Sequence, residues 1–302
     1  MPSSRLTAEK HEPVGTNTVF PMNFEKWQAL GNDYLIVEAN ELPVELSSER
    51  VRLICDPHLG IGADGLVLIE PSEESGIVAS LRIFNPDGSE AELSGNGVRQ
   101  AVLYLRRKGW TSRDTFTVAT KAGPITPTIL EDGRCSVVMG VASTRSVDYP
   151  DGSDDGRGVV HAGGREWPFR HVSIGNPQCA IEVDDDLAAL DLRSIGSEIE
   201  NSPLFPNRTN VSFYRRSGSR VRARIFERGV GETLSSGTGA IGAALAAHLD
   251  GGPASLEVEL DGGRLDVDVS GDLEVTLTGP AEPVFNGQTS PEFLRRLAEA
   301  RD

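Results

Sequence analysis

Two short motifs hold the residues through which this chain could do chemistry. Ser94–Gly97 (SGNG) and Ser236–Gly239 (SGTG) each stand between a strand-like apolar run and a helix-like run. At a helix start, the free backbone N–H groups and the helix dipole favour an anion, and glycines let that anion approach the backbone. The sequence therefore predicts two anion-binding helix starts. The simpler alternative is that both serines only cap their helices, which stabilises each by about 1 kcal/mol.

Polar side chains of a substrate-binding kind lie around both motifs. Glu227-Arg228 follows a strand end, where such a pair is by default a surface ion pair of little energetic weight. An amino-acid substrate, with carboxylates and an ammonium group, would need this mixture of Arg, Thr and Asn side chains. The asparagines set among glycines are Asn32, Asn85, Asn96, Asn176 and Asn210.

An internal repeat assigns the two motifs to equivalent units. Arg82–Gly97 aligns without a gap on Arg224–Gly239, and Ala29–Asp33 aligns on Ser173–Pro177 at almost the same offset. Two matches in the same order indicate a duplicated unit, so we expect two lobes, each with a strand, a Gly-rich turn and a helix. A site between them would hold side chains on opposite faces of one ligand. That arrangement suits moving a proton onto one face of a carbon and off the other.

The elements that position these residues are short strands and four helices. Apolar periodicity predicts helices over Gly97–Lys108 and Gly239–Leu249, with weaker candidates at Ser47–Cys55 and Pro291–Arg301. The 33 glycines favour many tight turns between the elements. Apolar or alternating runs that stop at Gly, Asp or Pro predict strands over Leu66–Glu70, Leu81–Asn85, Phe116–Thr120, Ser136–Met139, Ala180–Val183, Val221–Phe226 and Leu256–Leu260.

Composition and charge exclude several classes of protein. The 29 Lys and Arg residues against 45 Asp and Glu give a net charge of -16, which repels nucleic acids and anionic membranes. No apolar run approaches the roughly 18 residues of a membrane helix. Met1–Met22 lacks the apolar core of a signal peptide, so we expect a polar extension and a cytoplasmic protein. Cys55, Cys135 and Cys179 have neither metal-type nor redox-type spacing, and we expect free, buried thiols and no metal site.

The motifs typical of nucleotide-binding proteins and hydrolases are either absent or in the wrong context, so they do not indicate another function. No GxxxxGK[ST] phosphate loop and no GxSxG nucleophile turn is present. GxGxxG occurs at Gly60–Gly65 and Gly237–Gly242. The first runs into a strand and the second begins several residues after its strand, so neither has the context of a dinucleotide site.

Six further motifs stand in one order along the chain: Leu30–Tyr34, Gly60–Gly65, Phe84–Glu92, Gly175–Pro177, Phe205–Val211 and Glu227–Thr233. With these motifs the chain resembles diaminopimelate epimerases from about Phe24 to its C-terminus. The resemblance implies an α/β fold of two pseudo-symmetric lobes, each a small barrel-like sheet around a central helix, with the site between them. We expect residues 1–22 as the extension, residues 23–138 plus 284–302 as the N-terminal lobe, and residues 139–283 as the C-terminal lobe.

The same resemblance implies epimerisation without pyridoxal phosphate or metal, by one thiolate that removes an α-proton and one thiol that returns it. It implies no cofactor, a small amino-acid-like substrate in amino acid metabolism and lysine biosynthesis, and a homodimer as the assembly to test. Carried over by motif, Gly95-Asn96 and Gly237-Thr238 would hold the α-carboxylate. The distal end or the α-centre of the substrate would be held by Asn32, Asn85, Asn176, Asn210 and Arg228.

Three departures from the family pattern put that mechanism in question. The two family cysteines read Ser94 and Ser236 here, and the family's GNPH motif reads Gly175–Gln178, without its histidine. A thiol with a pKa of about 8.5 can be brought to neutrality by a helix start and a neighbouring base. An alcohol lies several units higher, and each unit is about 1.4 kcal/mol. Both serines should therefore be feeble bases for an unactivated α-proton.

Three explanations of the serines stay open. A natural Ser/Ser relative would perform another isomerase-type proton transfer, or a step on a more acidic C–H, with Glu227 as base and the serines as orienting groups. Alternatively, the chain is a diaminopimelate epimerase whose two cysteines were changed to serine. Such a change would not need to replace the family's histidine as well, so Gln178 weighs against this explanation. In the third, it binds an amino-acid-like ligand without catalysis. We favour the first, because the phenazine-biosynthesis isomerases share this fold and shift protons with a carboxylate.

Overall fold

The computed structural model describes residues 21–300 and has the mixed α/β architecture that the sequence predicts. Its helices are α1 (Ser48–Cys55), α2 (Gly95–Lys108), α3 (Leu192–Glu200), α4 (Gly237–Leu249) and α5 (Pro291–Glu299). None of these five helices, which are those of residues 21–300, is long and apolar enough to cross a membrane. The first twenty residues of the expected extension lie outside the described part, whereas Met22 is fully buried and its N–H donates to Thr289 Oγ1.

The first sheet is built mostly from the N-terminal part of the chain. Its strand order is β19-β1-β2-β3-β4-β6-β7, with β5 paired to β4. The pairs β2–β3 and β4–β6 are parallel, and β3–β4 is antiparallel. Its strands are β1 (Asn23–Ala29), β2 (Asn32–Glu38), β3 (Leu66–Pro71), β4 (Ile77–Phe84), β5 (Glu90–Ala91), β6 (Thr117–Thr120), β7 (Gly123–Ile125) and β19 (Glu282–Gln288).

The second sheet is larger and repeats the same pairing pattern. Its order is β10-β11-β12-β13-β14-β16-β17-β18-β9-β8, with β15 paired to β14. Here β12–β13 and β14–β16 are parallel and β13–β14 is antiparallel, as expected for a duplicated unit. Its strands are β8 (Thr128–Ile129), β9 (Cys135–Val141), β10 (Arg157–Ala162), β11 (Arg165–Ser173), β12 (Pro177–Glu182), β13 (Asn210–Ser217), β14 (Arg220–Glu227), β15 (Gly231–Thr233), β16 (Ser255–Leu260), β17 (Gly263–Val269) and β18 (Glu274–Gly279).

Each sheet packs around one central helix. α4 is buried along almost its whole length and contacts β11–β14 and β16–β18, as expected for a helix that is apolar on all sides. α2 buries Val98, Ala101 and Leu105 against β1–β4, and it also contacts β9 of the second sheet. Met139 on β9 packs against the cores around both helices, so the two lobes share a packed boundary.

Both central helices begin two residues earlier than apolar periodicity predicts, at Gly95 and Gly237. The first turn of each helix is rich in glycine, so it carries no hydrophobic period, and the start is defined by the preceding serine cap. The predicted strands all coincide with observed strands, which are mostly a little longer because pairing continues past the apolar core of each run.

The β1–β2 turn brings the N-terminal lobe against the C-terminal lobe. Leu30 and Gly31 have φ of 57° and 88°, as in a two-residue hairpin turn whose central residues both have positive φ. A Cβ on Gly262 would lie 1.9 Å from the Leu30 carbonyl oxygen, so this close approach requires glycine. A Cβ on Gly31 would lie 3.0 Å from Leu234 Cδ1. Asn32, the next residue, is thereby fixed at the boundary between the lobes.

The three cysteines are free and buried, as predicted. Burial raises the pKa of the Cys55 and Cys135 thiols to about 12 and raises the pKa of Cys179 well above its ordinary value. They lie at the end of α1, in β9 and in β12, and none of them occupies a helix start.

Candidate active site

The two serines cap their helices with matching geometry. Ser94 has φ and ψ of -134° and 118°, and Ser236 has -133° and 119°. Each hydroxyl oxygen accepts the backbone N–H of the glycine three residues later, Gly97 or Gly239, at 3.1 Å. The supporting turns also match, since Arg82 pairs with Glu90 in one lobe and Arg224 with Glu232 in the other. The repeat in the sequence is therefore a repeat in three dimensions.

The two helix starts meet at the boundary between the lobes. A Cβ on Gly95 would lie 3.1 Å from Leu277 Cδ2, and a Cβ on Gly237 would lie 3.2 Å from the same atom. The Gly237 position is also 3.7 Å from Asn96 Oδ1, across the boundary. Two helix N-termini with free N–H groups and positive dipole ends thus converge within reach of one small anion, such as a substrate carboxylate.

A hydrogen-bonded chain fixes the amides of the N-terminal lobe. Asn96 Nδ2 donates to Asn32 Oδ1 at 2.9 Å, and Asn32 Nδ2 donates to Asp64 Oδ2 at 3.1 Å. Arg99, which is fully buried, donates to Asn96 Oδ1 at 2.7 Å and to the Gly95 carbonyl oxygen at 3.1 Å. Burial lowers the pKa of Arg99 to about 10, and its Nε has no hydrogen-bond partner among residues 21–300. A buried cation therefore lies directly beside the start of α2.

The C-terminal lobe has an equivalent chain with different residues. Asn176 Nδ2 donates to Thr238 Oγ1 at 3.2 Å, and Gln178 Nε2 donates to Asn176 Oδ1 at 2.8 Å. Asn210 joins two further segments, because its Nδ2 donates to the Pro177 carbonyl oxygen and its Oδ1 accepts the Arg228 N–H at 2.9 Å. Four of the expected binding residues, Asn176, Asn210, Arg228 and Thr238, are thus linked around the start of α4.

Two of the expected binding side chains have mainly local contacts. Asn85 Nδ2 donates to Ser89 Oγ at 2.9 Å within the turn between β4 and β5. The Arg228 guanidinium donates to the Asn207 carbonyl oxygen at 3.1 Å. Their roles toward a substrate stay predictions.

Glu227 is the ionisable group beside Ser236. It stands at the end of β14, and its carboxylate accepts the Thr233 hydroxyl at 2.8 Å. Desolvation by burial is the largest influence on the pKa of Glu227 and raises it, and the nearby hydroxyls of Thr233 and Ser236 act in the opposite direction. A carboxylate with a raised pKa beside a small-molecule site fits the profile of a general base.

Tyr34 is the corresponding group beside Ser94, and residue patterns alone did not single it out. Its ring is buried, and its hydroxyl lies 3.2 Å from Ser94 Oγ. Burial raises the pKa of Tyr34 to about 12, so it stays a neutral phenol near pH 7. The repeat contains the signal that could have found it, because extending the match of Ala29–Asp33 by one residue pairs Tyr34 with Gln178.

Comparison with known proteins identifies the family. The diaminopimelate epimerase family model matches residues 24–145 and 170–284. The chain belongs to the diaminopimelate epimerase family. It is 38% identical over 281 residues to a diaminopimelate epimerase from Synechococcus, covering 89% of this chain and 98% of that protein. It is 39% identical over 279 residues to diaminopimelate epimerase 1 from Nostoc, covering 88% and 99%. Membership makes the chain an isomerase of the epimerase and racemase kind.

Solved structures share the fold of this diaminopimelate epimerase family member. A hydroxyproline epimerase from Agrobacterium vitis superposes with a TM-score of 0.67 at 15% identity, covering 91% of this chain and 95% of that one. A phenazine biosynthesis protein of the PhzF family from Bacillus anthracis gives 0.64 at 20% identity, covering 89% and 99%. At these identities the likeness establishes the two-lobed fold alone.

Removing either cap is expected to destabilise the protein. Ser94→Ala and Ser236→Ala should each lower the free energy of unfolding by about 1 kcal/mol, because each removes the acceptor of a helix N–H. Ser94→Ala should cost more, since it also removes the hydrogen-bond partner of the buried Tyr34 hydroxyl. Urea unfolding measures both. Ser290→Ala is the matched control, because Ser290 caps α5 through Phe293 N–H at 3.2 Å. If Ser290→Ala lowered the free energy of unfolding while Ser94→Ala and Ser236→Ala did not, the capping role of Ser94 and Ser236 would be contradicted.

Proposed function

We propose that this chain is a cofactor-independent isomerase that transfers a proton at a carbon of an amino-acid-like carboxylate substrate, with Glu227 as the base. In this proposal the carboxylate binds at the starts of α2 and α4, and the amides around Asn32 and Asn176 orient the rest of the molecule. Ser94 and Ser236 orient the reacting carbon and do not act as alkoxide bases. The chemistry therefore differs from the two-thiol reaction that the family resemblance implies.

The observation that carries the proposal is the position of Glu227. It combines a raised pKa with a hydrogen bond from Thr233, and it lies near Ser236, the cap of α4. Burial raises the pKa of Glu227, which makes its ionised carboxylate a stronger base than an exposed one. A serine hydroxyl lies several pKa units too high to act as an ionised base, and each unit costs about 1.4 kcal/mol.

A second candidate is diaminopimelate epimerase proper, which interconverts the LL and meso isomers. It is supported by identities of 38% and 39% to relatives of that name along most of the chain. In that case the serines would stand where the family has its two thiols, and the pocket would still fit diaminopimelate. The Discussion describes the variant that separates this candidate from the first.

Hydrogen exchange in deuterium oxide tests the proposed function. Two probes are incubated with the protein: LL-diaminopimelate, whose α-C–H is unactivated, and L-vinylglycine, whose α-C–H is acidified by the neighbouring double bond. Mass spectrometry follows deuterium at the α-carbon. We expect little exchange with diaminopimelate and exchange at least about 100-fold faster with vinylglycine, because a carboxylate is a weak base that needs a more acidic carbon.

Two outcomes of the exchange experiment would contradict the proposal. Exchange of diaminopimelate at a rate ordinary for enzymes, about 1 s⁻¹ or more, would return the serines to the role of bases. Binding of both probes without any exchange would favour a non-catalytic binder of amino acids.

We also propose a homodimer in the cytoplasm. Within residues 21–300, β19 lies at the edge of its sheet, and the side chains of Val284 and Phe285 are exposed. Both features support the dimer, because a strand edge with apolar side chains favours association. Light scattering on the purified protein measures the mass, and a monomer at micromolar concentration would contradict it.

A further inference from the structure

The two lobes are duplicated, but their titratable groups are not. In the repeat, Glu227 of the C-terminal lobe aligns with Asn85, and Tyr34 of the N-terminal lobe aligns with Gln178. At these paired positions each lobe thus has one titratable side chain and one neutral amide, in opposite arrangement. Ser236 has a carboxylate beside it, and Ser94 has a phenol.

The Ser236 side of the site carries a proton acceptor. The Ser236 oxygen accepts the Gly239 N–H at 3.1 Å, and the neighbouring Glu227 carboxylate accepts the Thr233 hydroxyl at 2.8 Å. An ionised carboxylate is an acceptor only. The titratable group on this side can therefore accept a proton and has none to give.

The Ser94 side of the site carries a proton donor instead. The Ser94 oxygen also accepts a helix N–H, from Gly97 at 3.1 Å, and its second partner is the Tyr34 hydroxyl at 3.2 Å. Tyr34 is buried, so a phenol proton aimed away from Ser94 would be left without a partner, which is costly. Tyr34 therefore donates to Ser94, both lone pairs of Ser94 are occupied, and the proton of the Ser94 hydroxyl is left for a substrate.

We infer that Tyr34 supplies, through Ser94, the proton that returns to the substrate carbon on the face opposite Glu227. This inference rests on the proposed function, because it needs Glu227 to have removed a proton first. It assigns the proton-removing face to the C-terminal lobe and the proton-returning face to the N-terminal lobe. Tyr34 acts as a positioning and relay residue, since Ser94 is the group that would touch the substrate.

The proton movements balance without any further reactant. Glu227 takes the proton of the substrate C–H, and the bonding electron pair stays on the carbon next to the bound carboxylate. The Ser94 O–H bond breaks as its proton forms a new C–H bond on the other face, and Ser94 takes the Tyr34 proton. The cycle leaves Glu227 protonated and Tyr34 as a phenolate. A proton then passes from Glu227 to Tyr34 through solvent after the product leaves.

Electrostatic coupling between the two groups favours this order of events. The negative charge of Glu227 is one of the influences that raise the pKa of Tyr34, after burial, and Asp64 and Cys55 act in the same direction. Once Glu227 has taken a proton its charge disappears, and the Tyr34 phenol becomes more acidic when it has to donate. The hydrogen bond with Ser94 lowers the pKa of Tyr34 and so stabilises the phenolate that remains.

The decisive variant is Tyr34→Phe, which keeps the ring and removes only the hydroxyl. L-Vinylglycine in deuterium oxide is the probe for the wild-type chain. The same substitution is also made in a Ser236→Cys background with LL-diaminopimelate, where a thiol assists proton removal. Mass spectrometry measures α-deuterium, and chiral chromatography measures inversion separately. We expect Tyr34→Phe to lower inversion about 100-fold while exchange with retained configuration continues, because Glu227 can still return a deuteron to its own face.

Controls make each outcome decisive. Ser94→Ala should show the same split between exchange and inversion. Tyr104→Phe should show none, since the Tyr104 hydroxyl donates to Glu38 at 2.8 Å outside the site. Inversion unchanged in Tyr34→Phe, or exchange and inversion lowered equally, would overturn the relay and leave the proposed function intact. No exchange of either probe by the parent proteins would overturn the proposed function, and the relay with it.

Discussion

Replacing Glu227 by glutamine is expected to lower the rate of proton transfer from carbon by about 10³-fold. The amide keeps the size of the side chain and can still bond to Thr233, but it cannot accept a proton from a C–H bond. Binding of the carboxylate probe should change little, because the proposed carboxylate site is formed by the helix starts. The loss should therefore fall on kcat, with KM nearly unchanged.

The pH dependence gives an independent check on Glu227. The base is active when deprotonated, so the rate should rise with pH and level off above the pKa of Glu227. Because burial raises that pKa, the rise should be centred above the ordinary glutamate value of about 4.3. Glu259→Gln is the matched control, since Glu259 is an exposed residue of β16. If Glu227→Gln kept the rate and the pH dependence of the wild-type protein, Glu227 would not be the base.

If the pocket is otherwise that of an epimerase, restoring thiols at both helix starts should create epimerase activity on diaminopimelate. In Ser94→Cys/Ser236→Cys, each thiol is several pKa units more acidic than the hydroxyl it replaces and stands at a helix N-terminus, which lowers a thiol pKa further. We expect exchange and inversion of LL-diaminopimelate to increase at least about 100-fold over the wild-type chain. Deuterium incorporation and chiral separation of the LL and meso isomers measure the gain.

The double variant decides between the two candidate functions. A large gain would show that the pocket still fits diaminopimelate, as expected for an epimerase that carries serines. Absence of diaminopimelate binding would instead favour a different substrate. Ser290→Cys controls for a new thiol at a helix cap, because Ser290 caps α5 away from the site. Adding Gln178→His should raise the rate further, because it returns the family's histidine to a position near one thiol. Gln178 is fully buried between Asn176 and α4.

The sequence was sufficient for four of the five helices, for the strands it predicted and for the repeat, because these depend on local patterns. It did not predict α3 or strands such as β1, β2 and β13. The periodicity of α2 and α4 and the matching serine caps follow from residues within one short segment. The amide networks do not, since Asn32 meets Asn96 and Asp64 only after strands far apart in sequence have paired. The burial of Arg99 could not be predicted from the sequence for a similar reason. A charged residue on an amphipathic helix is usually exposed, and Arg99 is buried because α2 packs against distant parts of the chain, including Gly279 of β18 beside its guanidinium.

Tyr34 shows where a closer use of the repeat would have helped. It was part of a quoted motif, but its role depends on a contact with Ser94 sixty residues away. Aligning every residue of the two units would have drawn attention to the pairs that differ in charge, Asn85 with Glu227 and Tyr34 with Gln178. Asymmetry within a duplicated scaffold is therefore the signal to examine when each half supplies one face of a site.

The burial of all three cysteines has a consequence for oxidative conditions. Thiolates are the forms that peroxide converts to sulfenic acid or that close into disulfides, and a high thiol pKa together with burial protects against both. Cys55, Cys135 and Cys179 meet both conditions, and the two helix starts present hydroxyls that peroxide does not oxidise. A two-thiol site stops working when its cysteines are oxidised, whereas this site should give the same rate in reducing and in oxidising surroundings.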